Sequence, residues 1–211
     1  MNQAIQGARR ALVVIDVQGE YVSGGLRIEY PPLEASLAAI GRAMDAASSA
    51  GIPVVVVQNT APPGSPLFAR DTAGWQLDPV VAKRLRDHWV EKRLPDAFAE
   101  TDLGRWLVGR GIDTLTVAGY MTHNCVDSTV KRALHEGYRV EVLGDAIGAV
   151  SYANAAGRAD ARKIHEAFTV VMQSRFAAVM PVDDWVDAVA GRREPVRDSI
   201  YASVRRAREA A

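Results

Sequence analysis

Short apolar runs alternate along this chain with longer stretches whose apolar positions recur at helical spacing. Ala11–Val17 (ALVVIDV) reads as a first buried strand, and Pro53–Val57 (PVVVV) as a second. Between them Leu33, Leu37, Ile40, Met44 and Ala47 mark one face of a helix opened by Pro31 and Pro32 and closed at Gly51. Val80–Arg86 is expected as a short helix and His88–Lys92 as a short third strand. Thr101–Arg110 follows as a helix with Leu103, Trp106 and Leu107 inward and Gly111 as its stop. Leu115–Ala118 is the fourth strand. After it Val126, Val130, Ala133 and Leu134 recur at helical spacing until Gly137. Arg139–Leu143 is the fifth strand, Asn154 to about Ser174 a helix with Ile164, Phe168, Val171 and Met172 on one side, Ala177–Met180 the last strand and Val182–Ala190 the last helix. Strands alternating with helices predict an α/β protein: three α/β/α layers around a parallel sheet of about six strands. No repeat or boundary divides the chain, so 1–211 is expected as a single domain, with a core over 11–190 and an Arg-rich tail over 191–211.

Composition narrows the partners. The 211 residues carry 25 basic and 25 acidic side chains, so no global field points to nucleic acid or to a membrane surface. No run approaches membrane-spanning length, the opening MNQAIQGARR lacks an apolar signal core, and a lone cysteine rules out an internal disulfide; a cytoplasmic protein is expected. The tail's six arginines, mixed with acids, read as a solvated helix or tail. The Pro- and Gly-rich connection 61–79 carries Phe68 and Trp75, and is expected as an ordered lid or a subunit contact.

Three side chains stand out because each ends an apolar run. Asp16 closes the first strand, Lys92 the third, and Cys125, the only cysteine, follows the fourth in the polar turn MTHN. In a parallel sheet all three reach one edge, where open α/β sheets place their chemistry. Amides at a helix start favour a thiolate at Cys125, Asp16 can take its proton, and Lys92 can hold the carboxylate and favour the thiolate further. Backbone N–H groups between Gly119 and Cys125 are placed to receive an oxyanion. Alternatives stay open. A lone cysteine is often an inert core residue, and an accessible one serves as a redox sensor. A nucleotide-binding domain would need a GxGxxG or GxxxxGK[ST] segment, and neither occurs.

The segments LVVIDVQ (12–18), EKRLPDAF (91–98) and AGYMTHNCVDSTVKRAL (118–134) resemble the isochorismatase-like cysteine hydrolases, the superfamily of nicotinamidases, N-carbamoylsarcosine amidase and streptothricin hydrolase. The resemblance implies strand order 3-2-1-4-5-6 and an Asp–Lys–Cys triad at Asp16, Lys92 and Cys125. It also implies a cis peptide between Tyr120 and Met121 and an oxyanion hole made by the Met121 and Cys125 N–H groups. The implied reaction is hydrolysis of a small-molecule amide, carbamoyl or lactam C–N bond through a thioester, without a cofactor, in a homodimer or homotetramer. Gln18, Tyr21, Trp75, Tyr120, His123 and Asn124 are the expected substrate contacts. The nicotinamidase metal ligands have no counterpart, since no histidine lies between Thr60 and Asp87, so no metal is expected.

Overall fold

Four consecutive valines, or the run ALVVI, can be buried completely only in a strand covered on both faces. That is where they lie in the computed structural model of the protein, which describes residues 8–210. The polar lead-in before Ala8 falls outside the described residues. In chain order the elements are β1 (Arg10–Ile15), α1 (Gly19–Val22), α2 (Leu33–Ser49), β2 (Val54–Asn59), α3 (Pro79–Ala82), β3 (His88–Lys92), α4 (Leu103–Gly109) and β4 (Thr114–Tyr120). A π-helical turn, Thr122–Val126, leads into α5 (Asp127–His135), followed by β5 (Arg139–Gly148), β6 (Tyr152–Asn154), β7 (Gly157–Ala159), α6 (Ala161–Val171), β8 (Ala178–Met180), α7 (Val182–Val189) and α8 (Ile200–Glu209).

The main sheet runs β3-β2-β1-β4-β5-β8 with every neighbouring pair parallel. This is the expected six-stranded order; its last strand is the eighth in the chain because a hairpin intervenes. Alternate side chains enter two cores. Leu12, Val14, Val56 and Ala118 pack with Ile40 and Met44 of α2 and Trp185 of α7. Val13, Ile15, Val57 and Val117 pack with Leu103 and Leu107 of α4 and with Val126 and Val130. Helices thus cover both faces, and the C-terminal ends of β1, β3 and β4 open on one edge.

Three stretches differ from expectation. The helix read from Asn154 begins only at Ala161, because β6 and β7 first pair as an antiparallel hairpin. Its turn is made by Asn154, whose Oδ1 accepts from the Ala156 amide at 2.8 Å, and by Gly157 at φ 138°. Asp160 then caps α6 by accepting from the Lys163 amide at 2.9 Å. α3 stops at Ala82 rather than reaching Arg86, and β5 runs on to Gly148 past a register shift opposite Val117 and Gly119. The tail folds as α8, none of whose residues is buried. Among the described residues no helix is long and apolar enough to cross a membrane.

Candidate active site

β1 ends where its backbone turns left-handed. Asp16 has φ 52°, a conformation Asp tolerates better than most side-chain-bearing residues, and its amide still donates to the Val57 carbonyl at 2.9 Å. Beside it β4 approaches β1 so closely at Gly119 (φ 106°) that a Cβ there would lie 2.0 Å from the Ile15 carbonyl oxygen. The chain then passes a cis peptide between Tyr120 and Met121 and enters the π-helical turn that carries Cys125.

The three strand-end groups meet. Lys92 Nζ lies 2.8 Å from Asp16 Oδ2, and both side chains are wholly buried. The same ammonium donates to Cys125 Sγ at 3.2 Å and to Asn59 Oδ1 at 3.5 Å. The contact with Asp16 is a buried ion pair, and Cys125 and the Asn59 amide also stand close enough to the carboxylate to favour its charged form. Cys125 is 5% exposed and forms part of the core beneath α5. In the turn the Met121 carbonyl accepts from the Asn124 and Val126 amides at 3.1 and 3.2 Å. The amides of Met121 and Cys125 donate to no carbonyl outside the turn among the described residues.

Burial dominates the electrostatics of the cluster. Burial, and then the neighbouring Asp16 carboxylate, push the Cys125 thiol up to about 12, against the pull of Lys92. Removal from water thus favours the neutral thiol over the thiolate. The helix start and Lys92 favour the thiolate, but the loss of water penalises the charged form most. Burial also raises the Asp16 carboxyl above the usual carboxylate range, and Lys92 offsets only part of that rise. For Lys92 burial acts downward, but Asp16 and Cys125 outweigh it and hold the ammonium above its ordinary value.

The expected substrate contacts separate into three groups. Tyr21 is buried against Phe68 and Tyr120, with ring centroids 5.1 and 5.8 Å away, and burial followed by the charges of Cys125 and Asp16 raises its phenol well above the ordinary value. His123 packs edge-on to Tyr152 at 5.0 Å and to Phe168 at 6.0 Å, and among the described residues neither ring nitrogen has a hydrogen-bond partner. Burial lowers its pKa, so the imidazole is neutral near pH 7. Asn124 is partly exposed beside the nucleophile. These three lie next to Cys125. Gln18 and Tyr120 do not offer free groups. Gln18 is completely buried, its Nε2 donating to the Asn59 and Trp75 carbonyls at 3.0 and 2.7 Å and its Oε1 accepting from the Asn59 amide at 2.9 Å. Tyr120 is completely buried in the α2-side core, its hydroxyl 2.7 Å from Ser36 Oγ. Trp75 anchors the 61–79 segment: its Nε1 donates to Thr60 Oγ1 at 2.8 Å and Arg70 stacks over its ring at 5.3 Å.

Residues not singled out in the sequence also surround the nucleophile. Asn59 ends β2 beside Lys92 and had no signal beyond its position in QNT. Tyr152 opens the β6–β7 hairpin, just before the stretch expected as helix from Asn154. Thr122, inside the turn itself, bonds His165 of α6 at 3.2 Å. Among the described residues no three His, Cys, Asp or Glu side chains gather as a metal-holding group.

Comparison with known proteins matches this architecture. The isochorismatase domain family covers residues 10–184. A solved isochorismatase-family structure from Burkholderia xenovorans LB400 shares 60% identity and superposes with a TM-score of 0.94, over 97% of this chain and 100% of that one. A secreted isochorismatase effector of Verticillium dahliae is 34% identical over 65% of this chain and 71% of its own length. A streptothricin hydrolase of Streptomyces noursei is 39% identical over 65% of this chain, which spans about half (49%) of that protein. With the family's domain extending across all but the ends of the sequence, and a Cys–Lys–Asp cluster at the edge of its parallel sheet, the chain belongs to the isochorismatase domain family.

Proposed function

We propose that the protein hydrolyses a C–N bond of a small-molecule amide, carbamoyl compound or lactam through a thioester on Cys125. The observation that carries this reading is the buried contact of Lys92 with both Asp16 and Cys125, at 2.8 and 3.2 Å. A thiol held at a pKa of about 12 is a poor nucleophile at neutral pH, so it needs a base in contact with it. Asp16 is the acceptor available, its carboxylate standing against both Cys125 and Lys92.

Asp16 takes the Sγ proton as sulfur attacks the substrate carbonyl carbon. The carbonyl π bond opens to a tetrahedral oxyanion, which the Met121 and Cys125 N–H groups receive. As the oxyanion collapses the C–N bond breaks, and Asp16 returns the proton to the departing nitrogen. Water then gives a proton to Asp16 and attacks the thioester; the C–S bond breaks and the proton goes back to sulfur. Lys92 remains an ammonium, balancing whichever of Asp16 and Cys125 carries the negative charge. His123 and Asn124, both partly exposed, supply the nearest surfaces for the substrate.

A redox sensor would need a thiolate-rich, accessible cysteine. The 5% exposure of Cys125 and its raised pKa favour the hydrolase instead. The test is turnover of nicotinamide, biuret, ureidoacrylate, N-carbamoyl amino acids and streptothricin, with mass spectrometry for ring opening and for acyl-enzyme. Turnover with an adduct on Cys125, absent in Cys125→Ala, is the expected result. Turnover surviving in Cys125→Ala would overturn the thioester mechanism.

A further inference from the structure

α6 meets the nucleophile turn through two side chains one turn apart. The buried stripe of this helix is Ala161, Ile164 and His165, with Phe168 packed beside it. His165 Nδ1 lies 3.2 Å from Thr122 Oγ1, and the Phe168 ring lies 6.0 Å from that of His123. Positions three apart on a helix share a face, so α6 grips the first two residues of the turn together. Thr122 is completely buried and His165 is 7% exposed, so water does not compete well for this bond.

The histidine is itself held. Tyr30 packs edge-on against its ring at 5.3 Å, and Tyr30 is fixed by paired backbone bonds with Ala149, at 3.3 and 2.8 Å. Burial lowers the His165 pKa, which leaves a neutral imidazole able to share one hydrogen with the Thr122 hydroxyl. A π-helical turn is less regularly bonded than an α-helix and is found in short pieces at functional sites. Only His123 and Asn124 separate Thr122 from Cys125. Any rotation of the turn about its start therefore moves the sulfur relative to Asp16 and Lys92, which are fixed on other strands.

We infer that His165 is a positioning residue for the nucleophile: its bond to Thr122 sets the rotation of the Cys125 turn and holds the sulfur in register with Asp16 and Lys92. The inference rests on the hydrolase reading for its effect on turnover, but the tether itself is independent of it. A displacement of the order of 1 Å can cost on the order of a hundredfold in rate.

The experiment compares His165→Leu, Thr122→Val, their double variant, and two replacements that keep a hydrogen-bonding group, His165→Asn and Thr122→Ser, all in the full chain. Amide hydrogen exchange of the peptide spanning the turn reads the tether directly. Exchange is expected to rise about three- to tenfold in His165→Leu and Thr122→Val, no further in the double variant, and to return towards wild type in His165→Asn and Thr122→Ser. On an amide that wild type hydrolyses, kcat should fall about tenfold or more with KM little changed, and recover in the same two replacements. Unchanged exchange, additive effects in the double variant, or faster exchange with unaltered kcat would each overturn the inference. If wild type hydrolyses no amide, the hydrolase reading falls, and the exchange cycle alone then decides the tether by coupling or additivity.

Discussion

Lys92 and Asp16 meet at 2.8 Å with neither side chain reaching solvent. Such a pair is poor evidence of stability, because desolvating two charges offsets much of their attraction; breaking it is another matter, since one charge is then buried alone. Lys92→Met and Asp16→Asn should each destabilise the protein by about 3–5 kcal/mol. The double variant should cost clearly less than the sum. Urea unfolding of the four proteins measures this, and additive losses would mean that the two groups do not neutralise each other.

Cys125 should titrate in opposite directions in those single variants. Asp16 raises the thiol and Lys92 lowers it, so Asp16→Asn should bring the value down from about 12 and Lys92→Met should drive it higher still. Thiolate absorbance against pH reads both. The sign for stability follows from the folded thiol holding its proton more tightly than a free one near 9. This contribution is fully present below about pH 9 and is lost as pH rises towards 12. Cys125→Ser should therefore lose less stability than wild type on the alkaline side.

Much of this was legible because buried strands leave little choice. His88–Lys92 was read to the residue, and Asp16, Lys92 and Cys125 were conspicuous as polar groups closing apolar runs. Side-chain parity also accounts for the place of Tyr120. It lies two residues after Ala118 and so enters the α2-side core, whereas Val117 enters the core that holds Cys125. The hairpin was hidden because Ala-rich YANAAGRA has helical composition, and only the Asn154–Gly157 turn overrides it. The protonation of Cys125 was not legible at all, since it depends on how much water the fold removes.

Gln18 is predicted to be a structural clamp. Its three hydrogen bonds join the end of β1 to Asn59 and to the Trp75 carbonyl. Gln18→Leu removes the side-chain partner of the Asn59 amide and carbonyl in the interior, while the Trp75 carbonyl keeps its bond from Gln58 Nε2 at 2.9 Å, at a cost of about 1–3 kcal/mol. It should also open the 61–79 segment to limited proteolysis. A fall in substrate affinity with full stability and unchanged proteolysis would instead return Gln18 to the substrate's contacts.

Gly119 and Gly109 give a paired test of why β1 and β4 can come together at the site. At Gly119 a methyl group would lie 2.0 Å from the Ile15 carbonyl oxygen and 2.6 Å from its nitrogen, and φ is 106°. Neither strand can yield cheaply, because Ile15 and Gly119 are register partners and Ile15 leads directly into Asp16. Gly119→Ala should therefore cost more than about 2 kcal/mol and lower activity by displacing the base. Gly109, in α4, has ordinary φ and open space around its Cβ position, so the same substitution there should stabilise by about 0.4–1 kcal/mol with activity intact. Urea midpoints for both variants decide the matter. Equal effects at the two positions would show that loss of glycine flexibility, rather than contact with Ile15, is what matters at Gly119.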